Sequence, residues 1–140
     1  MITSIDTNIL VALWDADEEL GLAALEALDS AYARGGIVIC GAVFAELMAF
    51  PKRTEGFLNK FFSDTQITVD WETNETVWKA AGRAFRTYSD SRRKQRPDGP
   101  RRILADFLIG AHAFENSYKL LTLDDRHYRA AFPKLEILTI

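Results

Sequence analysis

Four acidic residues stand in apolar surroundings: Asp6 in SIDTNIL, Glu46 in VFAELMA, Asp106 in ILADFLI and Asp124 in LLTLDD. A carboxylate is costly to bury without a partner. Several brought together repel one another and raise one another's pKa. A hard divalent cation removes that conflict, because carboxylate oxygens are the ligands that Mg²⁺ and Mn²⁺ prefer. Taken singly, each acid also has an ordinary reading. Asp6 and Asp106 serve equally well as helix caps. Glu46 alone reads better as an exposed helix residue, and Asp124-Asp125 as a turn pair after a strand. The four together are more specific than any one of them.

Other chemistries find little support. His112 and His127 are the only histidines. At about 100° per residue, His112 points well away from Asp106 on a shared helix and reads as a packing or surface residue. No nucleophile elbow supports a Ser/His/Asp triad. No GxGxxG or GxxxxGK[ST] is present to cradle a nucleotide. One cysteine and two scattered histidines do not make a zinc site. Cys40, in the apolar run IVIC, reads as a buried structural thiol in a reducing compartment.

The acids must be positioned by the elements around them. ITSI (2–5) reads as a strand that ends at Asp6, and NILVALW begins a helix capped by Thr7 or Asn8. Apolar spacing predicts a helix over 17–33, stopped by Gly35-Gly36. IVIC (37–40) is a buried strand, and GAVFAELMAF (41–50) a helix ending before Pro51. A short helix over 55–63 and a strand ITVDW (67–71) follow. A long helix runs from Glu75 to about Ser91 and is broken by RPDGP (96–100). Residues 103–116 form the helix carrying Asp106. KLLTL (119–123) is a strand, DDRHYRAAF a short helix and EILTI (136–140) a last strand. Strand–helix alternation of this kind predicts an α/β fold: one domain over 1–140, with a mostly parallel sheet of four to five strands and helices on both faces. Ligands bind such sheets at the carboxyl ends of the strands, where Asp6 and Asp124 fall.

At 140 residues the chain is one domain of ordinary size. No apolar run spans a bilayer, and the N-terminus carries no basic region or cleavage pattern, so a mature cytoplasmic protein is expected. The net charge of −3 conceals an asymmetry. Residues 83–102 hold eight Lys/Arg against two acids, a net of +6 that leaves −9 elsewhere. Such a stretch is either a local anion-binding surface or a solvated helix end and loop.

DTNIL after the first strand, the Glu of AVFAELMAF, RRILADFLIGAHA and LLTLDDRHY together resemble the PIN-domain nucleases, and among them the VapC toxins of toxin–antitoxin pairs. The resemblance covers essentially the whole chain in order. It implies a Mg²⁺- or Mn²⁺-dependent endoribonuclease. Its metal-site acids are Asp6, Glu46, Asp106 and Asp124, with Thr122 as the neighbouring hydroxyl and Asn8 as the amide of the first motif. It further implies a cognate antitoxin and a homodimer; no membrane partner is expected, because no apolar run is long enough to span a bilayer. Arg92, Arg93, Lys94, Arg96, Arg101 and Arg102 are the expected RNA contacts, because an acidic site needs cations beside it to hold phosphates. One departure stands out. Where family members often carry Phe three residues after the last acid, this chain has His127, read here as a packing variation. The alternative function is a non-catalytic PIN-like module that binds RNA or a partner. A Mg²⁺-dependent phosphatase ranks below both, because the expected Lys is missing.

Overall fold

The central strand of the sheet sets the layout. β1 (Thr3–Ile5) is only three residues long and buried throughout. The computed structural model describes residues 1–15, 17–95 and 102–140. In chain order it contains β1, α1 (Thr7–Trp14), α2 (Glu18–Arg34), β2 (Ile37–Cys40), α3 (Gly41–Leu47), α4 (Glu55–Thr65), β3 (Thr68–Asp70), α5 (Glu75–Gln95), α6 (Leu104–Glu115), β4 (Lys119–Leu121), α7 (Arg126–Ala131) and β5 (Ile137–Leu138). The predicted break at 96–100 lies outside the described residues, and so do Arg96 and Arg101.

The five strands form one sheet in the order β3-β2-β1-β4-β5, with every pairing parallel. Parallel neighbours need crossovers, and the helices supply them. From β1 the chain steps outward to β2 and β3. It then crosses back to β4 and steps the opposite way to β5. Right-handed crossovers running in opposite directions place helices on opposite faces. The connections leaving β1 and β4 therefore diverge, and a crevice opens at the carboxyl ends of these two strands. Register fixes what faces it. Ile5 pairs with Leu121, so Asp6 and Thr122 emerge level with each other.

Several sequence-predicted boundaries shift, each for a local reason. Asp6, rather than Thr7 or Asn8, caps α1: its backbone is extended and its Oδ1 accepts the Thr7 N–H at 2.7 Å. α3 ends at Leu47 instead of Phe50. Ahead of Pro51 the chain tightens into three-residue turns, with Ala49 N–H donating to Glu46 O and Phe50 N–H to Leu47 O. α5 runs on to Gln95, past the predicted Ser91, carrying Arg92, Arg93 and Lys94 in its last turn. That placement is favourable, because cations complement a helix C-terminus. Gly35 closes α2 at φ 142°, a conformation L side chains rarely adopt.

The core joins Ile5, Ile9, Leu10, Ile39, Leu47, Ile109 and Leu120, all fully buried. His112 is buried too, and not a surface residue: its Nε2 lies 2.8 Å from Asp70 Oδ2, linking α6 to the end of β3. That contact holds the Asp70 carboxyl below the usual range. Among the described residues, no helix is long and apolar enough to cross a membrane.

Gly110 shows how tightly α6 is seated. A Cβ there would stand 2.5 Å from Phe132 Cε2 and 3.1 Å from Tyr128 Cδ1. Gly110→Ala would gain about 1 kcal/mol of helix propensity against an overpacking cost of about 1–3 kcal/mol. We expect net destabilisation, read as a lower urea midpoint with unchanged slope. An unchanged or higher midpoint would show that α7 yields without cost.

Candidate active site

Asp6 is the anchor of the crevice. It follows the central strand, is 6% exposed, and has three donors on its two oxygens. Oδ1 accepts from Thr7 N–H. Oδ2 accepts from the Thr122 hydroxyl at 2.8 Å and the Tyr128 hydroxyl at 2.9 Å. Two carboxylate oxygens offer about four acceptor positions, so roughly one remains for a further ligand. Burial raises the Asp6 pKa above its ordinary range, the three donors oppose that rise, and the Asp106 charge adds to it.

Because Asp6 takes the cap, Thr7 and Asn8 are released for other work. The Thr7 hydroxyl donates to Glu46 Oε1 at 2.6 Å and holds that carboxylate at the crevice. Asn8 spans to the loop after β4: its amide donates to Thr122 Oγ1 at 3.3 Å, and its Oδ1 accepts the Leu123 N–H at 3.2 Å. Thr122 thus sits at the centre of a polar lattice, giving to Asp6 and receiving from Asn8 and from the Asp124 N–H. Glu46 has a raised pKa, mainly from burial and then from the charges of Asp6 and Asp106.

Asp106 both caps its helix and faces the crevice. It stands in the first turn of α6, where Oδ2 accepts the Ile103 N–H at 3.2 Å. Its Oδ1 faces inward, 3.9 Å from His127 Nε2. Asp124 lies across the crevice, where the Arg102 guanidinium donates to its Oδ2 at 2.8 Å. Asp6, Glu46, Asp106, Asp124, Asn8, Arg102 and His127 line one open cavity of about 440 Å³, walled on its apolar side by Val11, Ala49 and Phe50. A larger cavity of about 460 Å³, lined mainly by apolar side chains of α5, α6 and α7, adjoins it through His127.

The crevice therefore gathers the four sequence-selected acids, Asn8 and Thr122. Among the described residues no three His, Cys, Asp or Glu side chains stand close enough, as oriented here, to hold one metal ion between them. Arg102 faces the acids. Arg92, Arg93 and Lys94 lie further out on α5: Arg92 donates to the Tyr88 hydroxyl at 3.3 Å, and Arg93 pairs with Asp90. The Tyr88 hydroxyl also accepts the Arg102 N–H at 2.7 Å, tying the basic end of α5 to the entry of α6.

Three residues of the site escape the sequence reading. Thr7 was read only as a cap. Tyr128 has no role in the sequence reading, although its position four residues after Asp124 places it in the short helix that closes the site. His127, read as packing, lines the cavity with a side chain 11% exposed. Burial and the Arg102 charge lower its pKa, against the opposing pull of Asp106, Asp124 and Asp6.

A parallel α/β sheet with acids gathered at its switch-point crevice defines a class of domain, and comparison gives its family. The model of the PIN domain matches residues 4–133, so the chain belongs to the PIN domain family. No curated protein sequence matches it. Among solved structures it is similar to a chain of VapBC2 from Rickettsia felis bound to a DNA fragment from its promoter, with 20% identity, TM-score 0.71 and coverage of 99% of this chain and 98% of that one. It is also similar to a chain of VapBC-1 from nontypeable Haemophilus influenzae, with 20% identity, TM-score 0.64 and coverage of 99% and 98%. A chain of FitAcB from Neisseria gonorrhoeae shares 19% identity at TM-score 0.64, with coverage of 99% and 96%. At these identities the likeness is one of fold.

The electrostatics of Glu46 can be tested directly. A carboxyl whose folded pKa is raised above its unfolded value favours the fold at low pH, and that contribution is lost as pH rises through the folded pKa. Glu46→Gln keeps the acceptor for Thr7 and removes the charge. In chelator-treated protein we expect a higher melting temperature than wild type at pH 7. The difference should shrink as pH falls and vanish below the ordinary Glu value of 4.5. A difference independent of pH, or a loss of stability at pH 7, would refute a Glu46 carboxyl penalised by burial and like charge.

Proposed function

We propose that the chain is a Mg²⁺- or Mn²⁺-dependent endoribonuclease and the toxin of a VapC-type toxin–antitoxin pair. The observation that carries this reading is the convergence of Asp6, Glu46, Asp106 and Asp124 on one crevice, with Asp6 held in place by donors from three elements. The donor set is all carboxylate oxygen, the chemistry that suits a hard divalent cation. Burial, with like charge added to it, raises the pKa values of Asp6 and Glu46, so a cation at this position would be favourable. Asp6 and Asp106 are the direct ligands in this reading, because both project from rigid element ends. Glu46 and Asp124 bind directly or through water. Loading requires the carboxylates to turn inward, and requires Asp124 to share or release Arg102.

When bound, the ion supplies an activated water, charge relief at the phosphodiester and stabilisation of the leaving oxygen. The protein supplies position. Thr122 and Tyr128 fix Asp6, Thr7 fixes Glu46, and Asn8 locks the Thr122 loop against α1. Arg102 and the end of α5, with Arg92, Arg93 and Lys94, offer cations to the RNA backbone. Arg96 and Arg101 belong to the same basic run. The inferred partners are an RNA substrate, a cognate antitoxin and a second copy of the chain. The VapBC structures of like fold support the antitoxin. A guanidinium from the antitoxin tail is the natural rival to metal at the acids, because it forks onto carboxylates.

The Arg102–Asp124 pair favours a second reading, a PIN module that binds RNA without cutting it, since the pair offsets part of the acid charge without metal. Metal response separates the two. In the nuclease, Mg²⁺ or Mn²⁺ raises the melting temperature, by the equivalent of about 2.7 kcal/mol at a hundredfold excess over Kd. Asp6→Asn and Asp106→Asn each abolish metal-dependent RNA cleavage with an unchanged circular dichroism spectrum. Full activity in either variant, or no shift with metal up to tens of millimolar, would refute the nuclease reading.

RNA binding has its own test. Log affinity of cleavage-dead Asp6→Asn protein for single-stranded RNA should fall with log salt at a slope of about −0.7 per phosphate contacted. Replacing Arg92, Arg93 and Lys94 by Ala should flatten that slope and weaken binding to all sequences alike. An unchanged slope would make the end of α5 a solvated face.

A further inference from the structure

His127 has an environment that packing alone does not explain. Both of its ring nitrogens are buried, and among the described residues neither has a hydrogen-bond partner. A buried polar atom without a partner costs about 1–3 kcal/mol. The ring stands between two acids: Nε2 is 3.9 Å from Asp106 Oδ1, and Nδ1 is 3.8 Å from Asp124 Oδ2. Both gaps are too long for a hydrogen bond. They are also short for one bridging water, whose two partners at about 2.8 Å each tend to stand about 4.5 Å apart. Two ligands of one ion, each about 2.0–2.2 Å from it, stand about 3–4 Å apart.

The two sides of the ring differ. Asp124 Oδ2 already receives the Arg102 guanidinium. The hydrogen bond that Asp106 accepts goes to Oδ2, from Ile103, which leaves Oδ1 turned toward Nε2. The Nε2–Oδ1 gap is therefore the one that an ion can bridge. The ring is held there by Tyr128, whose ring centroid lies 4.0 Å away and whose hydroxyl is fixed on Asp6.

We propose that His127 Nε2 is a nitrogen ligand of the metal that Asp6 and Asp106 hold once their carboxylates turn inward, and that it biases the site toward Mn²⁺ over Mg²⁺. The chemistry is that of donor preference. Mg²⁺ demands oxygen ligands and keeps its waters, whereas Mn²⁺ also favours oxygen but belongs to the first-row series whose ions accept nitrogen donors. An all-carboxylate site binds the two ions on similar terms, and one imidazole separates them. The inference rests on the metal-dependent reading above and assigns a selectivity to it.

The test uses the purified chain with Mn²⁺ or Mg²⁺ alone. Isothermal titration gives each Kd, and the electron spin echo of bound Mn²⁺ reports directly coupled ¹⁴N. We expect nitrogen modulation in wild type. His127→Phe should abolish it, weaken Mn²⁺ binding about tenfold or more, and change Mg²⁺ binding less than about twofold. His127→Gln, which offers an oxygen in place of nitrogen, should also lose the modulation while retaining Mg²⁺. Bound Mn²⁺ without nitrogen modulation in wild type would overturn the proposal while leaving the metal site intact. So would a variant with an unchanged Mn²⁺ to Mg²⁺ ratio. Binding of neither ion by wild type would overturn both. The wild-type echo decides the matter even if a variant fails to fold.

Discussion

A carboxylate at the carboxyl end of the central strand has to be satisfied inside the protein, and the site is built on how that is done. Asp6 draws its donors from the start of α1, the loop after β4 and helix α7. Those segments are far apart in sequence and meet only because the sheet places β4 beside β1. The bonds therefore do two things. They offset part of the cost of burying the charge, and they pin the loop and helix that carry Asp124 and His127 against α1. Removing any one donor loosens both the charge and the wall of the crevice.

The remaining charge is balanced unevenly. Among the described residues, Asp124 has Arg102 beside it, whereas Glu46 has only the Thr7 hydroxyl, a hydrogen bond without a counter-charge. Asp6 and Glu46 both carry raised pKa values, and Asp106 contributes to each. Folding thus leaves one side of the crevice strained, by burial first and like charge second, and the other relieved. Such strain persists because packing over-determines it. The parallel sheet fixes Asp6, and α6 can move little with Gly110 pressed against Phe132 and Tyr128. Function, in the reading proposed here, is the relief of that strain by a cation.

Tyr88 couples the site to the basic surface. One hydroxyl contacts both Arg92 on α5 and the backbone of Arg102 ahead of α6. The cations at the end of a long helix and the cation at the acids thereby share a mechanical link.

Much of this is legible in one dimension. The period-two and period-3.6 patterns separate strands from helices. Alternation of the two implies a parallel sheet, and acids just after apolar runs fall at its carboxyl edge by the geometry of the fold class. Asp6, Glu46, Asp106, Asp124, Asn8 and Thr122 are recognisable because each lies in a local motif, and local motifs survive in sequence. Tertiary structure decided what depends on register and reach. That Thr7 serves Glu46, that Tyr128 reaches back to Asp6, that Arg102 turns to Asp124 and that His112 is buried on Asp70 follow from contacts between residues distant in the chain. No periodicity encodes such contacts. His127 shows the difference most plainly. In sequence it is one polar residue on a short helix, and only the packing of α7 against α6 sets its two nitrogens between two carboxylates.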